Sequence, residues 1–136
     1  MNGNEYQALS MRTNDGKSDE RLSEKAMKSY VCTKMGCNDI SDGPIVGELI
    51  MGCLGMSGEV GEFNDIIKKW IFHEAELDQE HLKKELGDIM WYIALICNAF
   101  KWSLDDVMQT NVNKLMNRYP DGFDTDKANH RKSGDV

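Results

Sequence analysis

The sequence has no long apolar segment and no recognisable export signal. Its longest apolar run, Ile89 to Cys97, has nine residues, whereas a helix needs roughly 20 apolar residues to cross a bilayer. Residues 1–12 alternate polar and apolar types, and no charged segment precedes an apolar one there, as it does in a secretory leader. We therefore expect a cytoplasmic protein with no membrane partner.

Positive charge is scarce. The chain has 16 lysines and arginines against 23 aspartates and glutamates, for a formal net charge of −7. Surfaces that bind nucleic acid are normally basic, so we expect no nucleic-acid partner. The acidity does not exclude a phosphate ligand, because carboxylates that hold divalent cations reverse the local sign of charge.

The cysteines lack the spacing of a zinc site, which usually combines two close ligand pairs. Cys53 and Cys97 fall inside apolar helical patterns, where cysteine behaves as a small core residue, and Cys32 and Cys37 form the one close pair. Because the cytosol keeps thiols reduced, we predict that the cysteines are reduced and structural.

Strand-like alternation, internal repeats and low-complexity tracts are also absent, whereas helical periodicity is strong. The 136 residues, 40% of them apolar, are sufficient for one domain spanning residues 1–136. Apolar residues recur every three or four positions over 44–71, 78–101 and 103–119, which predicts three long helices. Shorter helices are expected from Asn4, with a capping box, and from Ser18 or Asp19 to Met35. A polar connection is expected at 38–43 and a polar tail at 125–136.

We therefore predict an all-α fold: a four- to five-helix bundle with a central antiparallel helical hairpin. Glycine weakens a helix by up to about 1 kcal/mol, so glycines in the first hairpin helix predict close approach of another helix or a ligand. They occupy positions 47, 52, 55, 58 and 61. Three tryptophans at core-like spacing are predicted to be buried: Trp70, Trp91 and Trp102.

Two acidic pairs lie in the predicted hairpin helices. Glu59 and Glu62 share one helix face, Glu85 and Asp88 repeat the spacing on the next helix, and 22 residues separate the pairs. A hairpin of that length would bring the four carboxylates face to face. Such a cluster repels itself without cations, and its hard oxygen ligands suit Mg²⁺, with Mn²⁺ possible. A solvated helix face explains any single pair, but two pairs beside apolar stripes favour a metal site.

Several polar residues could contact a substrate. Asn111, Lys114 and Arg118 form one line on the last helix, which fits either a phosphate site or a solvated helix end. Lys69 lies two turns beyond Glu62, near the edge of the predicted site. Tyr92 follows Asp88 by one turn and could support the site or pack. For His73 the simpler interpretation is an interaction with the backbone carbonyl groups at the C-terminal end of its helix.

The paired motif Glu59-x-x-Glu62 and Glu85-x-x-Asp88 resembles that of the MazG-like all-α nucleoside triphosphate pyrophosphatase superfamily, in its small single-domain branch. Residues 44–124 carry most of the resemblance, including the segment from Lys114 to Phe123. Residues 14–43 show no family pattern and are a possible insertion.

The resemblance implies a Mg²⁺-dependent pyrophosphohydrolase that converts a ribo- or deoxyribonucleoside triphosphate into a monophosphate and pyrophosphate through attack of metal-activated water. The metal ligands would be Glu59, Glu62, Glu85 and Asp88. We assign Glu62 as the base that takes the water's proton, although the sequence does not separate a ligand from a base. The family-like ending Lys114-x-x-x-Arg118-Tyr119-Pro120 favours phosphate binding by Asn111, Lys114, Arg118 and Tyr119. Lys69 and Tyr92 are candidate substrate-binding residues from their positions on the hairpin helices.

Two other classes of protein also join acidic residues to apolar helices. A di-iron carboxylate bundle needs Glu-x-x-His pairs, and both i+3 positions here are carboxylates. A non-enzymatic helical interaction module would dock a partner on the apolar 78–101 helix. The apolar surface exceeds what short helices can cover, so we expect a homodimer or a dimer of dimers with the site near the interface.

Overall fold

A computed structural model describes residues 2–36 and 43–130, and this part of the chain is all-α. It contains a 3₁₀ turn at Met11–Thr13, no strand, and six α-helices. The predicted all-α class is thus confirmed. The helices are α1 (Gly3–Ser10), α2 (Ser18–Met35), α3 (Val46–Phe72), α4 (Gln79–Phe100), α5 (Leu104–Arg118) and α6 (Thr125–Asn129).

Helices α3 and α4 form the predicted central antiparallel hairpin, and their contact is by far the most extensive in the described residues. The Asp78 carboxylate caps α4 by accepting a hydrogen bond from the backbone N–H of His81 at 2.9 Å. At the open end, the Ile45 N–H donates to the Ala99 carbonyl at 2.9 Å. The Asn98 amide donates to the Glu48 carboxylate at 2.8 Å nearby. The start of α4 is therefore capped, and α3 and α4 are joined by hydrogen bonds at the open end of the hairpin.

Two glycines of α3 let α4 approach closely. Gly52 is buried, and a Cβ placed there would lie 2.6 Å from Ile96 Cγ1. A Cβ on Gly55 would overlap the ring of Tyr92. A Cβ added at position 47, 58 or 61 would meet none of the described atoms within 4 Å, so those glycines are not required for packing within this hairpin.

This difference predicts opposite effects on stability. Gly52→Ala should lower the free energy of unfolding by about 1–2 kcal/mol, because overpacking costs about 1–3 kcal/mol and exceeds the gain of up to about 1 kcal/mol in helix propensity. Gly61→Ala, the matched control, has the same propensity gain and no clash, so it should stabilise. Urea unfolding of both variants measures this. Equal stabilisation by the two alanines would contradict the packing of Ile96 on Gly52.

Three local predictions differ from the structure. The capping box is formed by Asn2 and Glu5, not by Asn4 and Gln7, although both pairs have the required spacing of three residues. The N-cap of α2 is Lys17, with no side-chain cap. The expected polar tail contains α6, whose first turn is capped by Asp124. Two sets of predicted features lie outside the described residues. They are Cys37 with residues 38–42 of the predicted connection, and residues 131–136 of the predicted tail.

Many large apolar side chains of the described residues are exposed in the single chain. The three tryptophans predicted as core residues are about half exposed, and Cys53 is exposed rather than buried. The accessible surface is 11,052 Å², against about 7,200 Å² expected for a folded chain of this mass. Helix α5 packs little on the hairpin.

The cysteines at 32, 53 and 97 are free thiols. No helix of the described residues is long and apolar enough to span a membrane.

Candidate metal centre

Three carboxylates converge on the hairpin. Glu59 of α3 and Glu85 and Asp88 of α4, here called the acidic cluster, each offer an oxygen, and these oxygens lie within 4.8 Å of one another. Glu85 and Asp88 share a face because they are three residues apart on a helix. The cluster follows Gly52 and Gly55 along α3, where the helices approach closely.

Burial decreases across the acidic cluster. Glu85 is 6% exposed, Glu59 is half-buried and Asp88 is exposed. One side of the cluster is therefore against the helix interface and the other is open to solvent. A ligand could reach the cluster from the Asp88 side without any separation of the hairpin.

The surroundings of Glu59 disfavour its negative charge. The pKa of Glu59 is raised, first by loss of solvent contact, then by a hydrogen bond with Glu85. The negative charges of Glu62, Asp88 and Glu85 raise the pKa of Glu59 further. A hydrogen bond between two carboxyl groups requires that one of them hold a proton. Glu59 therefore binds a proton more readily than an isolated glutamate does.

The donor set fits a hard divalent cation. All three groups offer carboxylate oxygens, which Mg²⁺ and Mn²⁺ prefer. Mg²⁺–oxygen bonds of about 2.1 Å place opposite ligands about 4.2 Å apart, close to the 4.8 Å within which these oxygens lie. Exposed acidic groups often occur without an ion, but here one member is buried, and burial of uncompensated charge is unfavourable.

Glu62 lies outside the group of three. Its side chain is exposed, yet it is close enough for its charge to raise the pKa of Glu59. The sequence predicted that four carboxylates converge; the structure brings three of them together and places the fourth beside them. Glu62 is therefore near the acidic cluster without being one of the three converging groups.

His81 is a neighbour of the acidic cluster that was not predicted from the sequence. Its Nε2 lies 2.7 Å from Glu85 Oε1, and its side chain is 53% exposed while that of Glu85 is 7% exposed. The spacing carried the signal, because residues four apart on a helix are neighbours. The acidic pairs have a spacing of three residues, and a search for that spacing alone does not find His81.

Lys69, a predicted phosphate contact, is held by an aspartate that was not predicted. Its Nζ lies 2.6 Å from Asp65 Oδ2, and Lys68 also contacts Asp65. These two lysines lower the pKa of Asp65 to about 2. Lys69 therefore lies on the exposed side of α3 with its charge already compensated in part.

Tyr92 packs between the helices. Its ring lies over Gly55 of α3 and makes an edge-to-face contact with Trp91, with ring centroids 4.9 Å apart. This is the packing interpretation that the sequence left open beside a role in the site. A substrate contact by Tyr92 remains a prediction.

The remaining predicted substrate residues lie on or just after α5. Asn111 and Lys114 are exposed, whereas Arg118 and Tyr119 are half-buried at the end of the helix. The Arg118 guanidinium lies 5.9 Å from the Tyr119 ring, which in turn lies 5.5 Å from the Phe123 ring. Because α5 has little contact with the hairpin, the approach of these four residues to the acidic cluster remains a prediction.

The raised pKa of Glu59 predicts a pH dependence of the metal-free protein. A carboxyl whose pKa is higher in the folded state binds more protons folded than unfolded, so its contribution to stability is lost as pH rises from about 4.5 through the raised value. Glu59→Gln removes this titration. In EDTA, the Tm of the variant relative to the wild type should therefore increase as pH rises toward neutrality. A Tm difference that is constant with pH would contradict this interpretation.

Residues 52–123, which contain the acidic cluster, match the MazG nucleotide pyrophosphohydrolase domain. The "Gene 37 protein" of Mycobacterium phage L5 is 36% identical over 69 residues, or 48% of this chain and 60% of that protein. The chain thus spans less than two-thirds of that relative. No solved structure matches the chain. From the match over residues 52–123, the chain belongs to the family of MazG nucleotide pyrophosphohydrolase domains.

Proposed function

We propose that this protein is a Mg²⁺-dependent nucleoside triphosphate pyrophosphohydrolase, which hydrolyses the bond between the α and β phosphates to give a monophosphate and pyrophosphate. One observation carries the proposal: three carboxylates from both helices of the hairpin lie within 4.8 Å of one another, inside the matched family segment. A family match alone assigns no reaction to an individual chain. A cation-binding geometry inside that segment makes the reaction chemically reasonable.

The carboxylates have separable tasks in this proposal. Glu59, Glu85 and Asp88 would hold the cation, which when bound would supply charge neutralisation at the phosphate oxygens and lower the pKa of the attacking water. Glu62, exposed beside Glu59, would take the proton from the attacking water. The buried position of Glu85 fixes one side of the site, and the exposed Asp88 leaves the other side open to a triphosphate.

Basic and polar residues complete the proposed site. Lys69 is a basic side chain on α3, two turns beyond Glu62, and it would exchange its contact with Asp65 for a phosphate oxygen. Arg118 suits bidentate contact with a phosphate. The other proposed substrate contacts are Tyr92, Asn111, Lys114 and Tyr119.

Self-association is part of the proposal, because the single chain leaves large apolar faces uncovered. Leu54 and Phe72 on α3 are 70% and 75% exposed, and Met116 on α5 is 64% exposed. Exposed apolar surface of this extent marks an interaction face. We propose a homodimer or a dimer of dimers, in which α5 of either copy packs near the acidic cluster.

The test is pyrophosphate release from a panel of ribo- and deoxyribonucleoside triphosphates, with Mg²⁺ or with EDTA. We expect turnover that needs the cation, with Mn²⁺ replacing Mg²⁺, and with monophosphate formed in equal amount. Release of inorganic phosphate instead would refute cleavage between the α and β phosphates. Absence of metal-dependent turnover on every substrate would favour the remaining class, a non-enzymatic helical interaction module.

A further inference from the structure

We propose that His81 is a positioning residue that holds the Glu85 carboxylate in the orientation needed to bind the cation. The inference rests on the proposed function, because it assumes that the acidic cluster holds a metal ion. It assigns a role to a residue outside both acidic pairs. The contact that carries it is the 2.7 Å approach of His81 Nε2 to Glu85 Oε1.

The place of His81 in α4 explains how it can orient another group. Its backbone N–H donates to the Asp78 carboxylate at 2.9 Å, so the residue is fixed by the helix cap. From this first turn, the side chain of a residue reaches the side chain four positions later on the same face. Asp78, His81 and Glu85 therefore form a continuous series of contacts from the start of α4 to the acidic cluster.

The burial of Glu85 shows why it needs such a partner. Glu85 is the buried member of the acidic cluster, at 6% exposed, so little water is available to satisfy its two oxygens. His81 contacts one of these oxygens, and Glu85 also shares a hydrogen bond with Glu59. A donated N–H from His81 restrains rotation of the carboxylate. Carboxylates that ligate metals are commonly held by such hydrogen bonds, and loss of the partner weakens metal binding by roughly 10- to 100-fold.

The donated hydrogen bond is formed by any imidazole that has its hydrogen on Nε2, so the proposal does not depend on the charge of His81. The half-exposed side chain contributes little to the core. Replacing it should therefore change the orientation of Glu85 much more than the stability of the fold.

In the experiment, the metal-free full chain is titrated with Mn²⁺, and electron paramagnetic resonance measures the concentration of free ion. The wild type is compared with four variants. His81→Ala and His81→Phe remove the donor, and His81→Gln keeps an N–H at similar reach. His130→Ala is the control, because His130 is exposed and lies beyond the matched segment. The Tm of each metal-free variant is measured in parallel.

We expect His81→Ala and His81→Phe to weaken Mn²⁺ binding roughly 10- to 100-fold, with little change in metal-free Tm. His81→Gln should recover most of the affinity, and His130→Ala should bind as the wild type does. Unchanged affinity in His81→Ala, or recovery by Phe but not by Gln, overturns the positioning role while leaving the metal site intact. Failure of the wild type to bind Mn²⁺ overturns the proposed function, and this inference with it.

Discussion

Replacement of Glu85 by glutamine or of Asp88 by asparagine is expected to lower kcat for pyrophosphate release by about 100- to 1,000-fold. Each change keeps the size of the side chain and removes one negative charge from the acidic cluster. A bound cation contributes several kcal/mol of charge stabilisation in phosphate chemistry, and roughly every 1.36 kcal/mol is a factor of ten in rate. Loss of one anionic ligand from the three that converge removes much of that contribution.

The matched control for these variants is Glu80→Gln. Glu80 is an exposed carboxylate in the first turn of α4 and lies outside the acidic cluster, so its loss should leave kcat within about twofold, given a stability effect of about 0.3–1 kcal/mol at most. Initial rates at saturating substrate and Mg²⁺ are the measurement. If kcat fell equally in Glu80→Gln and Glu85→Gln, the loss would reflect a general effect of charge and would contradict the metal-site interpretation.

The same assay separates a ligand from a base. Glu62 lies outside the group of three oxygens, so Glu62→Gln should reduce turnover while Mn²⁺ affinity stays near that of the wild type. Glu85→Gln should reduce both quantities. A loss of Mn²⁺ affinity in Glu62→Gln would identify Glu62 as a fourth direct ligand, as the sequence alone predicted.

The second large effect concerns assembly: the protein should have a mass in solution of two or four times 15.4 kDa, and Met90→Glu should convert it to monomer. Met90 is 49% exposed on α4, beside Trp91 at 54%, so a substitution there need not disturb the hairpin of a single chain. An unpaired carboxylate buried at an interface costs several kcal/mol. At roughly 1.4 kcal/mol per tenfold, the association constant should fall by about 100-fold or more.

Light scattering over a range of protein concentrations measures the assembly, and Tm at the same concentrations reports its link to stability. The wild-type Tm should rise with concentration, whereas that of Met90→Glu should not. Gln79→Glu is the control, because it adds the same charge at the exposed start of α4, where the helix dipole favours it. A wild type that is monomeric at every concentration would refute self-association.

These two sets of experiments are connected by the position of α5. In one chain this helix packs little on the hairpin, although it carries Asn111, Lys114 and Arg118. If assembly brings α5 to the acidic cluster, Met90→Glu should also lower activity, and activity should return as protein concentration is raised. Full activity of the monomer would mean that the substrate is held by the hairpin itself.

Local features were predictable from the sequence because their causes lie within a few residues. The start of α4 after Asp78, the end of α2 at Gly36 with φ of 69°, and the end of α5 before Pro120 follow from capping and backbone rules. Capping failed as a guide at Asn2 and Asn4, because each has a glutamate or glutamine three positions later and the pattern does not choose between them.

Burial was the least predictable property. Periodicity identified the apolar faces of α3 and α4, but it does not say whether a face is covered by the same chain. Trp70, Trp91 and Trp102 follow core-like spacing and are nevertheless about half exposed. A periodic apolar face predicts only that some surface will cover it, and this surface is not provided within the described part of one chain.

The sequence alone determined helices α1 to α5, the hairpin and the two acidic pairs, since helix formation and the sharing of a face depend on spacings of three and four residues. Only the tertiary structure decided that Glu59, Glu85 and Asp88 meet while Glu62 stays at the edge, and that His81 contacts Glu85. The reason is that the meeting of carboxylates from two helices depends on how far α3 and α4 are rotated and how closely they approach at Gly52 and Gly55. That geometry is set by packing between residues distant in the chain.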